Sequence, residues 1–132
     1  MASILIIDDN EELRDTLVML LEDEGYATLV AGDGASGVRI FAAARPDLVI
    51  TDVLMPGADG IETIREIRSL DPDARIIAMS GGAVIGNAYY LRMAKILGAM
   101  EVLAKPFEVE ELVRAVVSCL GAPRPSAPAD TP

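Results

Sequence analysis

Five polar residues stand where apolar runs stop. Asp8 and Asp9 follow "ILII", Asp52 follows "LVIT", Ser80 follows "RIIAM" and Lys105 follows "EVLA". Carboxylate oxygens suit Mg2+, which takes one or two protein carboxylates and leaves its other positions to water and phosphate oxygens. A lysine ammonium is a compact positive charge that pairs with a carboxylate or a phosphate oxygen, and a serine hydroxyl is a neutral donor. The stretch "DDNEE" at 8–12 also poses a cost. Two like charges ~4 Å apart repel by about 4 kcal/mol at an effective dielectric of about 20, so acids that share a site call for a cation.

These five residues meet only if the fold gathers strand ends. Apolar runs alternate with helical patterns, and they predict strands over Ser3–Ile7, Ala27–Ala31, Leu48–Thr51, Arg75–Met79 and Glu101–Ala104. Their cores are continuous rather than alternating, as in strands buried on both faces of a parallel sheet. A first helix is capped by Asn10, carries Glu11 and Glu12 in its opening turn and Leu13, Leu17, Leu20 and Leu21 on its inner face, and stops at Gly25. Further helices are expected near Gly34–Ala44, Ile61–Leu70 and Asn87–Leu97. A last one places Val109, Leu112, Val113, Val116, Val117 and Leu120 at helical spacing. Such alternation implies an α/β fold, a doubly wound parallel sheet with right-handed crossovers, whose site lies outside the carboxyl ends of its strands. Asp8, Asp9, Asp52, Ser80 and Lys105 then converge on one edge.

The 132 residues, 52% of them hydrophobic, suit one domain over 1–120. The remainder, "GAPRPSAPADTP" at 121–132, has four prolines and no periodicity, and reads as a disordered tail or linker stub. No apolar run is long enough to span a bilayer and no signal peptide is evident, so a cytoplasmic location without membrane contact is expected. The chain has no histidine, which excludes His-based catalysis and His metal sites, and its one cysteine, Cys119, is expected to pack in a helix. A net charge of −10 argues against direct nucleic-acid binding. Eight acids fall in the first 24 residues against a single base, Arg14.

Four segments together, "IIDDN" at 6–10, "DLVITDVLMPGADGIE" at 47–62, "IAMSGG" at 77–82 and "AKPF" at 104–107, resemble a response-regulator receiver domain of two-component signalling. The likeness covers essentially residues 3–120. It implies a flavodoxin-like fold of five parallel strands in the order 2-1-3-4-5 with five helices. It implies Asp52 as phosphoacceptor for a sensor histidine kinase or histidine phosphotransferase. Mg2+ would be held by Asp9 directly, Asp8 through water, Asp52 and the backbone carbonyl of Leu54. Lys105 would pair with Asp52 and then with the phosphoryl group, Ser80 would be the switch hydroxyl, and the Lys105–Pro106 peptide would be cis. Such a chain is a phosphoacceptor signalling protein rather than a conventional enzyme, promoting its own phosphorylation and slow self-dephosphorylation. Its output would pass to a downstream protein through the surface of the fourth helix, fifth strand and fifth helix.

Some positions depart from the family. Val102 stands where most receivers place an aromatic switch residue. The stretch between Ser80 and Lys105 is long, with the excess in "GGAVIGNA", so Gly81, Gly82 and Gly86 are expected to let that loop carry the switch. Leu54 and Gly82 offer no polar group to position water, which implies slow hydrolysis. Pro56 and Gly57 suit a type II turn, and Tyr89 and Tyr90 read equally as core or as partner contacts. Two other functions fit parts of the sequence. One is a pseudo-receiver that binds partners without phosphate. The other is a dinucleotide enzyme, since Gly32, Gly34 and Gly37 satisfy G-x-G-x-x-G with Asp52 about 20 residues on; the shortness of the chain and the unused Asp8, Asp9 and Lys105 weigh against it.

Overall fold

A computed structural model describes the backbone of residues 1–55, 58–81 and 87–121, and the side chains of these except 54–55, 58–59 and 87–91. The main strands are β1 (Ser3–Ile7), β2 (Ala27–Ala31), β3 (Leu48–Asp52), β4 (Ile76–Gly81) and β5 (Glu101–Lys105). The helices are α1 (Glu11–Asp23), α2 (Gly34–Ala44), α3 (Gly60–Leu70), α4 (Asn87–Ile96) and α5 (Val109–Gly121). All main strands are parallel, in the order β2-β1-β3-β4-β5.

Continuous apolar strands follow from this layering, because alternate side chains go to opposite faces and both faces are covered. Leu5, Ile7, Val49, Ile76 and Ala78 pack with Phe41 of α2, Ile64 and Ile67 of α3 and Ala94 of α4. Ile4, Ile6, Leu48, Ile50, Ile77 and Met79 pack with Leu17 and Leu21 of α1 and with Leu112, Val116 and Cys119 of α5. The edge strand β2 is more open, and Val30 is exposed. Burial pushes the Cys119 thiol up to about 11, so it packs as a small apolar group.

Local chemistry sets the helix ends. Asn10 accepts a hydrogen bond from the Leu13 amide at 3.1 Å, and Gly25, at φ 95°, follows the end of α1. Asp33 caps α2 by accepting from the Ser36 amide at 2.7 Å.

The structure corrects two expectations and adds one element. Asp52, Ser80 and Lys105 lie inside the ends of their strands rather than beyond them, because the ladder continues through Asp52↔Met79, Ser80↔Ala104 and Gly81↔Lys105. In α5, Val109 and Val117 are 46% and 55% exposed. The buried stripe is Leu112, Ala115, Val116 and Cys119, and Val117 is rotated about 100° past Val116. In addition, Leu54–Met55 pairs antiparallel with Ala58–Asp59 in a short ribbon that the sequence did not suggest. The turn expected at 56–57, the loop at 82–86 and residues 122–132 of the tail lie outside the described residues, as do the side chains of Tyr89 and Tyr90, while Gly121, expected to open the tail, ends α5.

Gly37 shows how closely α2 sits on the sheet. A Cβ there would collide with Ile7 Cδ1 and lie 2.8 Å from Ile7 Cγ1, and Ile7 is fully buried. In Gly37→Ala, overpacking of about 1–3 kcal/mol should outweigh a gain in helix propensity of about 1 kcal/mol. Urea denaturation should therefore show a less stable protein; equal or higher stability would contradict the packing account.

Candidate functional site

Asp8, Asp9 and Asp52 each offer a carboxylate oxygen within 4.8 Å of the others. Asp8 follows β1 and keeps a bond to β2, its amide donating to the Ala31 carbonyl at 3.1 Å. Asp52 ends β3, the neighbouring strand, so the two acids are adjacent because β1 and β3 are adjacent. Lys105 comes from β5, two strands away from β3. Its Nζ lies 2.8 Å from Asp8 Oδ2 and 3.0 Å from Asp52 Oδ2. The ammonium is thus divided between two acids, where the sequence suggested Asp52 alone.

Burial separates the three carboxylates. Asp8 is fully buried and Asp52 5% exposed, whereas Asp9 is exposed. A buried charge is tolerated when it is paired and hydrogen-bonded. Asp8 meets both conditions, with Oδ1 accepting from the Asn10 amide at 2.9 Å and Oδ2 from Lys105. Three carboxylates against one ammonium leave two negative charges at the sheet edge, the charge a divalent cation neutralises. The oxygen-only donor set, with one exposed member, fits Mg2+.

Ser80 is fully buried in β4, and its Oγ has no hydrogen-bond partner among the described residues. An unpaired buried hydroxyl costs about 1–3 kcal/mol, so a ligand that gave it an acceptor would be favoured by that margin. Val102 is half-buried and packs against the apolar cluster that includes Ala94 of α4. The Lys105–Pro106 peptide is cis. Beside it, Asn10, Leu13, Lys105, Pro106 and Phe107 line an open cleft of about 340 Å³, and Lys105 is the residue that this cleft shares with the acids.

Sequence reasoning passed over Gly60. It opens α3 against the end of β3, and a Cβ there would collide with the Asp52 carbonyl and Val53 Cα. Its place before a helical pattern was the available signal, but the collision is with a segment eight residues back, which spacing does not reveal. Leu54 lies two residues beyond Asp52, at the start of the short ribbon.

Two glycines of the triplet have structural explanations, and the residue between Gly32 and Gly34 adds a third observation. Gly32 leaves room for the Arg14 guanidinium, Gly37 packs on Ile7, and Asp33 puts a carboxylate at the start of α2. The hydrogen bond from the Ser36 amide holds the Asp33 carboxyl below its ordinary value. That keeps negative charge where a dinucleotide would need a free helix terminus.

Burial opposes the Lys105 charge, but its hydrogen bonds to Asp8 and Asp52 outweigh it and raise its pKa above the lysine value of 10.5. The stability contributed by this pairing is therefore fully present below 10.5 and lost as pH rises through the raised folded value. The gap in urea midpoint between the wild-type chain and Lys105→Met should be constant from about pH 7 to about pH 10 and narrow at higher pH. A gap that stays constant through the alkaline range would contradict the pairing.

Comparison with known proteins agrees with this geometry. A family model for the response regulator receiver domain matches residues 4–117. Sporulation initiation phosphotransferase F of Bacillus subtilis (strain 168) is 37% identical over 113 residues, covering 86% of this chain and 89% of that protein. Response regulator MprA of Mycobacterium sp. (strain KMS) is 34% identical over 130 residues, 98% of this chain and 55% of that longer protein. DNA-binding transcriptional regulator NtrC of Azospirillum brasilense is 37% identical, and this chain spans 27% of its length. Among solved structures, chemotaxis protein CheY4 of Vibrio cholerae superposes with a TM-score of 0.81 at 29% identity, covering 90% of this chain and 98% of that one. The receiver domain of NtrX from Brucella abortus gives 0.82 at 30% identity, covering 89% and 97%. On a match that runs nearly the whole length of the described fold, the chain belongs to the response regulator receiver domain family.

Proposed function

We propose that the chain accepts a phosphoryl group on Asp52 from a histidine kinase or histidine phosphotransferase, and that its cytoplasmic role is to pass this state to a partner protein. The observation that carries the reading is the Lys105 ammonium bridging buried Asp8 and Asp52 beside exposed Asp9. Similarity to sporulation initiation phosphotransferase F of Bacillus subtilis supports it.

Asp9 is the direct metal ligand in this reading, since Asp8 already uses both oxygens on Asn10 and Lys105. Asp8 acts through water, and Asp52 and the Leu54 carbonyl complete the protein set. Mg2+ bound there supplies positive charge to the oxygens of the transferring phosphoryl group. An Asp52 Oδ attacks phosphorus in line with the N–P bond of the donor phosphohistidine. The O–P bond forms as the N–P bond breaks, and the electron pair stays on the imidazole nitrogen. Lys105 then pairs with the phosphoryl oxygens, and the cleft lined by Leu13, Pro106 and Phe107 gives the donor access.

The product offers Ser80 Oγ the acceptor that it lacks among the described residues. Movement of Ser80 takes the end of β4 with it and biases the arrangement of α4, β5 and α5, the surface assigned to the downstream partner. Val102 leaves this coupling without an aromatic rotor, so the segment after Gly81 carries more of it. A chain of charge −10 is not suited to meeting nucleic acid by itself.

Asp52→Asn should abolish labelling by acetyl phosphate in Mg2+ or by a cognate kinase, and a persistently labelled mutant would remove the assignment. Label on the wild-type chain should decay slowly, and Leu54→Asn should hasten the decay by giving water a hydrogen-bond partner. Equal decay rates would contradict the role given to position 54.

A further inference from the structure

We propose that Arg14 is a positioning residue for the metal end of this site: it holds the peptide between Asp8 and Asp9 so that the Asp9 carboxylate faces the cation. The proposal rests on the Mg2+ reading above. Arg14 Nη1 donates to the Asp8 carbonyl at 3.0 Å, while the Asp8 amide donates to the Ala31 carbonyl at 3.1 Å. The Asp8 backbone is therefore held from both sides. Asp9 is different, because its carboxylate is exposed and has no hydrogen-bond partner among the described residues. With no side-chain bond to aim it, its direction follows from the peptide that precedes it, and that peptide ends in the carbonyl Arg14 holds.

Two observations bear on how the guanidinium is placed. Its Nε is buried without a hydrogen-bond partner among the described residues, so the stability of the arginine itself does not explain the placement. Gly32, the residue after β2, would bring a Cβ to 2.8 Å from Nη1 if it carried a side chain. The first glycine of the dinucleotide-like triplet thus acquires a purpose: it clears space for Arg14.

The sign of the effect separates positioning from simple charge. Arg14 is a cation near an acidic site, so by electrostatics alone its removal would tighten Mg2+ binding. If it orients a ligand, its removal weakens binding.

The test is calorimetric titration of Mg2+ alone into the full chain and into Arg14→Met, Arg14→Lys, Gly32→Ala and Arg45→Met, each well below its unfolding midpoint. Arg14→Met and Gly32→Ala should bind Mg2+ about tenfold or more weakly, the scale seen when a group that orients a metal ligand is lost. Arg14→Lys should recover part of the loss by donating one hydrogen bond to the Asp8 carbonyl. Arg45 stacks on Phe41 and donates to the Leu70 carbonyl, so Arg45→Met should lose stability with an unchanged Mg2+ constant. If Arg14→Met does not fold, Gly32→Ala decides. Unchanged or tighter Mg2+ binding in the folded variants overturns the proposal, and failure of the unaltered chain to bind Mg2+ overturns the metal reading together with it.

Discussion

The site depends on one ammonium shared by two buried acids. Lys105 is separated from Asp8 by 97 positions and from Asp52 by 53, yet its Nζ lies within 3.0 Å of an oxygen of each. Neither carboxylate could stay charged at such depth without a partner, because an isolated ionised group in the interior is strongly disfavoured. The contact therefore constrains the ladder. It requires β1 beside β3, and it requires β4 to carry β5 to a register where Lys105 reaches back across the sheet edge.

The close approaches elsewhere follow from that arrangement. Gly60 lets α3 begin against the backbone of Asp52 and Val53, and Gly37 lets α2 lie on Ile7, the last residue before the acids. Arg68 of α3 donates to the carbonyls of Leu97 and Gly98 at 3.2 and 3.0 Å, and to Pro72 and Ala74. It thus ties the end of α4 to α3 and to the approach to β4. If phosphate at Asp52 draws Ser80 toward it, α4 is fastened at its far end, so change is expected to concentrate at its near end.

Much of this could be read before any coordinates. Runs such as "ILII" and "LVI" implied strands covered on both faces, and the two apolar clusters on either side of the sheet bear this out. Strand ends marked the site because chain order and the parallel ladder place those ends on one edge. What was hidden depends on contacts between distant segments. The division of Lys105 between Asp8 and Asp52, the room Gly32 leaves for Arg14 and the fit of Gly60 under Asp52 have no local signature. Val117 misled for a different reason: in a valine-rich helix, apolar residues extend past the buried stripe, and residue type does not show which of them turns outward. Arg14 was visible as the lone base among the early acids, but its contact with the Asp8 carbonyl has no signature in that count.

The central claim is that Asp52 takes the phosphoryl group while Asp8 and Asp9 serve the metal. The most direct measurement is reduction of the phosphorylated chain with borohydride, which converts an acyl phosphate to an alcohol, followed by peptide mass spectrometry. The account predicts homoserine at position 52; homoserine at position 8 or 9 would contradict it.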